Sequence, residues 1–240
     1  VSARPAPDVV VLDIGEVLID ESRVFAVWSE LLGVSQATLM AVLGAAIVQG
    51  EDHHEAFPHV APNVDWAALE DEHEARYGGF RATDLYADVR DALRELRACG
   101  VRVMLAGNQP QRRTAQLHAL GLDVDDVATS DELGAEKPSP AFFAAVLARL
   151  GVAAQDAARV LYVGDRVDND VLPAIEAGMA TCWVRRGPWG QLHDLPDDVA
   201  PDLILDGVGE LPQLVRDWRD GVLDEGEGED GDRTMAGGGT

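Results

Sequence analysis

Val160-Leu-Tyr-Val-Gly-Asp-Arg-Val-Asp-Asn-Asp-Val-Leu-Pro-Ala-Ile-Glu-Ala-Gly-Met179 decides how this chain is read. Its first four residues are a short, continuous apolar run, the texture of a strand buried on both faces. Gly164-Asp165 breaks the run. From Asp170 to Ala177 the pattern turns helical and closes at Gly178. Strand, acidic turn and helix follow one another within twenty residues. The strand texture recurs at Val9-Val-Val-Leu12, at 101–106 and at Thr181-Cys-Trp-Val184, and more weakly at 126–129 and 202–205. Between these runs lie helical patterns. Residues 86–99 place Val89, Leu93 and Leu96 on one face and end before Gly100; residues 112–120 end before Gly121. Ser139 is an N-cap candidate, with Pro140 in the first helical position and Gly151 past the end. Strands alternating with helices of this length predict an α/β fold with a doubly wound parallel sheet.

One stretch interrupts the alternation. Residues 20–83 contain no clear strand. Residues 25–48 are apolar and helical, with Gly33 and Gly44 as interruptions, and 65–77 form a more polar helical piece. So long a connection after a first strand is uncommon and reads as a small all-helical cap. The expected organisation is a core of 1–19 and 84–221, a cap of 20–83 and a tail of 222–240. The tail is acidic and glycine-rich, too poor in apolar groups to offset chain entropy, and is expected to be disordered.

In open α/β sheets, ligands bind beyond the carboxyl ends of the strands. After the first strand stands Asp13; after the second, Gly107-Asn108-Gln109; after the fourth, Asp165 and Asp170. A lone lysine, Lys137, lies between the second and fourth motifs in Glu136-Lys-Pro-Ser139. Together these place Asp13, Asp165, Asp170 and an amine at one sheet edge. Carboxylates at that density repel unless a hard cation joins them, and Mg²⁺, with its preference for oxygen ligands, is the expected cofactor.

The 160–179 stretch resembles the fourth motif of the haloacid dehalogenase superfamily, in the branch with a helical cap after the first strand. Glu136-Lys-Pro-Ser-Pro-Ala-Phe-Phe143 is similar to its third motif, Val9-Val-Val-Leu-Asp-Ile-Gly-Glu-Val-Leu18 to its first, and Val103-Met-Leu-Ala-Gly-Asn108 to its second. The resemblance covers roughly 9–205 and implies a Rossmann-like core. It makes Asp13 the nucleophile that becomes an aspartyl phosphate. Asp13, the backbone carbonyl of Gly15 and Asp165 become metal ligands, with Asp170 holding metal-bound water or the lysine. Lys137 neutralises Asp13 and the phosphoryl oxygens. Gly107, Asn108, Gln109 and Arg112 are the substrate-binding candidates.

Two positions depart from the family pattern. The second Asp of the first motif, which handles the leaving-group proton, is Gly15 here, and Glu16 is the candidate replacement. The Ser or Thr of the second motif is Gly107. There, backbone N–H groups still donate, or another backbone or a bulkier ligand comes close. The implied function is a Mg²⁺-dependent phosphatase of a small phosphorylated metabolite. Two alternatives stand beside it: a dehalogenase- or phosphonatase-type hydrolase, and a non-catalytic metabolite-binding protein. The acidic 164–170 motif and the absence of lysine from 20–83 speak against the first alternative; retention of Asp13, Lys137 and Asp165 speaks against the second.

Composition bounds the rest. Nineteen Lys and Arg face 43 Asp and Glu, a net charge of −24, which repels nucleic acid and anionic membranes. Cys99 and Cys182 form no pattern of a disulfide framework, and Cys182 reads as a buried small hydrophobe. No signal-peptide core and no run of membrane-span length is seen. A reduced, cytoplasmic monomer or homodimer is expected. His53-His54 with His59 reads as a polar cap surface rather than a zinc site, and Trp28 and Trp66 as cap packing. The loop Arg185-Arg-Gly-Pro-Trp-Gly190 reads as pinning the C-terminal segment in preference to forming a rim over the cleft.

Overall fold

β1 (Val9–Leu12) is four consecutive apolar residues, all buried. A strand buries both faces only where helices cover both sides of its sheet. In the computed structural model, which describes residues 4–51 and 53–222, β1 lies at the centre of a six-stranded sheet with β2 (Arg102–Gly107), β3 (Asp126–Thr129), β4 (Val160–Gly164), β5 (Ala180–Val184) and β6 (Leu203–Leu205). All pairs are parallel, in the order β3-β2-β1-β4-β5-β6. The two weaker strand readings, 126–129 and 202–205, supply the edge strands. Their patterns are weak because edges need less burial: Ile204 of β6 is exposed and β3 begins on a charged residue. The acidic, glycine-rich tail lies outside the described residues beyond Val222.

In chain order the α-helices are α1 (Ser22–Leu32), α2 (Gln36–Val48), α3 (Ala56–Val60), α4 (Glu70–Tyr77), α5 (Val89–Ala98), α6 (Arg112–Ala119), α7 (Ser130–Leu133), α8 (Pro140–Leu150), α9 (Leu172–Glu176), α10 (Gly187–Leu192) and α11 (Leu211–Arg219). Because strand side chains alternate, Val10 and Leu12 pack with Leu93 and Leu96 of α5 and Val215 of α11 on one side. Val9 and Val11 pack with Phe142, Phe143 and Val146 of α8 on the other. Ser139 caps α8 by accepting from the Ala141 N–H, and Pro140 stands in its first turn, as its sequence predicts. The turn after β4 is wider than expected: residues 167–171 form a π-type turn before α9 begins at Leu172.

The 20–83 region contains α1 to α4 and no strand of the sheet. Its apolar residues form a separate cluster of Phe25, Trp28, Leu39, Leu43 and Phe57, which also takes in Trp189 of α10. Gly33 breaks the apolar helical run as predicted, adopting φ 70° at the end of α1. Gly44 does not: it continues inside α2, where a Cβ would lie 3.3 Å from Leu192 Cδ1. Small size there serves close packing on α10.

The two ends of this insertion run side by side. Ile19 bridges Leu85 in antiparallel fashion, the Asp20 N–H donates to the Asp84 carbonyl at 2.7 Å, and the Tyr86 N–H donates to Leu18 at 3.0 Å. Arg23 locks the seam. Its guanidinium donates to both carboxylate oxygens of Asp84 and to the carbonyls of Tyr77 and Gly79, and lies over the Tyr77 ring at 4.0 Å. No single helix among the described residues is long and apolar enough to cross a membrane.

Burial alone would raise the Asp84 pKa, but the Arg23 hydrogen bonds and the Arg81 N–H outweigh it and hold the carboxyl below its ordinary 3.8. A depressed folded pKa means stability that is complete above the unfolded value and lost as pH falls through the folded one. Asp84→Asn should therefore cost about 1–3 kcal/mol at neutral pH. In urea denaturation the gap to the native chain should close as pH drops below 3.8. A gap that stays constant down to pH ~3 would show that the charge at Asp84 is not what holds the seam.

Candidate active site

Strand register brings the site together. Leu12 pairs with Leu105 of β2 and Val163 of β4, so Asp13, Gly107 and Asp165 leave three adjacent strands at the same sheet edge. The Asp13 N–H continues the ladder to the Val163 carbonyl at 2.9 Å. Asp170 returns from the π-type turn, where its Oδ2 accepts the Arg166 N–H at 3.0 Å. Gly164 makes this possible, since a Cβ there would stand 2.3 Å from that of Asp170.

Lys137, the single lysine of the sequence, arrives from the loop between α7 and α8. Asn108 holds its backbone at both ends of the amide: Nδ2 donates to the Lys137 carbonyl at 2.9 Å, and Oδ1 accepts the Lys137 N–H at 2.8 Å. The ammonium then lies 2.8 Å from Asp13 Oδ1 and 2.6 Å from Asp170 Oδ1. Burial works against its charge, but Asp13 and Asp170 outweigh burial and keep Lys137 well above its ordinary pKa. Asp165 has no such partner. Among the described residues no protein donor reaches its carboxylate, and burial, then Asp170 and Asp13, drive its pKa far up.

Oxygens of Asp13, Asp165 and Asp170 all lie within 4.8 Å of one another, and all three residues are buried. One ammonium thus stands against three carboxylates and pairs with two of them. An all-oxygen donor set with uncompensated negative charge fits a hard divalent cation such as Mg²⁺. Asp13 and Asp165 keep oxygens free for it, whereas both oxygens of Asp170 already accept protein hydrogen bonds.

The site opens into a cavity of about 520 Å³. Asp13, Gly15, Glu16, Asn108, Gln109 and Lys137 line its polar end; Val24, Phe25 and Trp28 of α1, with Trp189, line the side toward the insertion. Gln109 thus reaches the cavity, and Asn108 does so while serving chiefly as the clamp on Lys137. Arg112 does not. Expected at the substrate, it ion-pairs with Glu74 of α4 at 3.3 Å, and buried Arg113 pairs with the same carboxylate at 2.6 Å. The charge surplus that drew both arginines sits on α4, which local sequence does not reveal.

The 185–190 loop divides its tasks. Arg185 pairs with Asp206 near the C-terminal segment. Trp189 reaches the cavity, and its ring lies 6.3 Å from Phe25 and 5.2 Å from the Arg166 guanidinium. The preference for pinning over a rim on the cleft is therefore corrected: the loop does both. Trp28 does pack within the insertion, stacked on His73 at 4.3 Å, and also faces the cavity. His53 lines it too.

The two glycine departures have physical occupants. A Cβ on Gly107 would stand 2.4 Å from Asp13 Oδ1; the Asp13 carboxylate itself leans into that space to meet Lys137. A Cβ on Gly15 would stand 2.5 Å from Glu21 Oε1. Glu16, the expected substitute, is buried at φ 51° with both oxygens engaged: Oε1 accepts the Glu21 N–H at 3.2 Å and Oε2 accepts the Tyr86 hydroxyl. Burial raises its pKa, offset in part by these bonds. Glu21 is the residue that sequence reading passed over. Its carboxyl faces the cavity, pushed up to about 8 by burial, then by Glu16 and Asp13. An acid at a helix start is ordinarily read as a cap, so the sequence carried no contrary signal.

Residues 7–178 match the family described as "Hydrolase: haloacid dehalogenase-like hydrolase". A glyceraldehyde 3-phosphate phosphatase of Methanopyrus kandleri is 33% identical over 65% of this chain and 66% of its own length. One of Methanocaldococcus jannaschii is 34% identical over 56% and 58%. The chain thus matches less than two thirds of the length of either relative. Among solved structures, magnesium-bound YfnB of Bacillus subtilis aligns with TM-score 0.69 at 18% identity, over 87% of this chain and 98% of that one. An L-2-haloacid dehalogenase of Xanthobacter autotrophicus aligns at 0.63 and 21%, over 88% and 98%. These two likenesses establish the shared fold.

Lys137→Met removes the only ammonium among three buried carboxylates. Breaking a buried ion network by losing one partner costs about 3–5 kcal/mol, read by urea denaturation in metal-free buffer. A loss below ~1 kcal/mol would show that the carboxylates are neutralised by other means.

Proposed function

Because the chain belongs to the haloacid dehalogenase-like hydrolase family, we propose that it is a Mg²⁺-dependent phosphatase of a small phosphorylated metabolite. The observation that carries this reading is the Lys137 ammonium 2.8 Å from Asp13 Oδ1 at the mouth of a cavity. A carboxylate so held would attack phosphorus in line, and the ammonium would take up charge on the equatorial phosphoryl oxygens.

Asp13 would attack phosphorus to form an aspartyl phosphate, and water would then release phosphate from it. Asp13, the Gly15 carbonyl and Asp165 would hold the Mg²⁺, with Asp170 fixing Lys137. The ion, when bound, offsets the repulsion between the carboxylates and the incoming phosphate. Asn108 and Gln109, which line the cavity, would receive phosphoryl oxygens. The helical insertion would act as a cap. Phe25, Trp28 and Trp189 would give the leaving group an apolar wall, which suits an uncharged alcohol. Relatives named as glyceraldehyde 3-phosphate phosphatases agree with a small phosphorylated metabolite as substrate.

Asp13→Asn should lower turnover of p-nitrophenyl phosphate by about 10³-fold or more, and a chelator should abolish native activity until Mg²⁺ is restored. Undiminished turnover by Asp13→Asn would overturn the reading. In a separate measurement, Mg²⁺ at 100 times its Kd should raise the unfolding free energy by about 2.7 kcal/mol. Asp165→Asn should weaken that shift.

A further inference from the structure

Glu21 occupies a place that the sequence around it does not explain. It stands immediately before α1, where a carboxylate ordinarily accepts hydrogen bonds from the first N–H groups of its own helix. Here it makes no such cap. Its side chain turns back over the first-strand motif, and Oε1 lies 2.5 Å from where the Cβ of residue 15 would be. Only glycine at 15 leaves that space, and only a long side chain from the start of α1 fills it. Among the described residues no protein donor engages the Glu21 carboxyl, whereas neighbouring Glu16 has both oxygens engaged.

A phosphate ester of an alcohol leaves poorly as alkoxide, so phosphoryl transfer from it needs a proton on the departing oxygen. Resting on the phosphatase reading above, we propose that Glu21 supplies the carboxyl absent at position 15, from the insertion rather than from the strand end. In the first step an Asp13 oxygen bonds to phosphorus, the bond from phosphorus to the ester oxygen breaks, and that oxygen takes the proton of the Glu21 carboxyl and departs as alcohol. In the second, Glu21 carboxylate removes a proton from water as its oxygen bonds to phosphorus. The Asp13–phosphorus bond breaks, and phosphate, Asp13 carboxylate and Glu21 carboxylic acid are restored. Since Glu21 belongs to the insertion, the proton donor and the apolar wall of Phe25 and Trp28 come to the substrate on one element.

The test is a series of aryl phosphates of one shape and graded leaving-group acidity, assayed with Mg²⁺ as kcat/KM, which reports the first chemical step. In Glu21→Gln, phenyl phosphate should lose about 10²–10³-fold, while p-nitrophenyl phosphate, whose phenolate departs without a proton, should lose under about tenfold. A second variant guards against a local packing defect. Gly15→Asp combined with Glu21→Ala removes the side chain nearest the new Cβ, and should recover at least about tenfold on phenyl phosphate over Glu21→Ala alone. Equal losses on both esters, no loss on either, or no recovery in the combined variant would overturn the role of Glu21 while leaving the phosphatase reading intact. A native chain that turns over neither ester removes that reading, and this role with it.

Discussion

One buried ammonium between two carboxylates organises this site. Without Lys137, the strand ends would bring Asp13, Asp165 and Asp170 into mutual contact with no positive charge among them. At such separations in a poorly solvated site, like charges repel by several kcal/mol. The lysine settles two of the three. Its own placement depends on Asn108, which grips the backbone of residue 137 through a reciprocal pair of hydrogen bonds and so connects the end of β2 to the loop before α8. The carboxylate left over, Asp165, is the one with most to gain from a cation.

The same economy of space accounts for the two positions where the chain departs from its family. Gly107 and Gly15 are not simply losses. Each removes a side chain from a spot that another carboxylate then fills, Asp13 in one case and Glu21 in the other. The site keeps its acidic content while moving one acid from the strand end to the first helix of the insertion. The role proposed for Glu21 therefore depends on how the start of α1 sits over the first-strand motif.

That relation is held at two seams. One is the antiparallel contact of 18–20 with 84–86, locked by Arg23 across Asp84, Tyr77 and Gly79. The other is Trp189, which leaves the sheet domain to join the apolar cluster of the insertion while lining the cavity. The ionic seam is directional; the aromatic one is not, and its Trp189 lines the cavity.

The sheet was legible in the sequence because buried strands leave apolar runs, and Val9–Leu12, 103–106 and 160–163 carry them. Asp13, Asp165, Asp170 and Lys137 were legible for a related reason: strand ends in a parallel sheet must converge, so polar residues just after each run share an edge. What followed from pairing across distant segments was not. Arg112 was assigned to the substrate because it follows β2, but the opposite charge that holds it lies on α4. Adjacency to Gly15 in the chain points to Glu16 as the replacement, whereas in space Glu16 is held by Tyr86 and Glu21, passed over, lies over the glycine. Sequence order alone thus determined the sheet and the four charged groups at its edge, since a strand carries its neighbours with it. Only tertiary structure decided which free carboxyl meets the site, because side-chain direction depends on partners brought in from elsewhere.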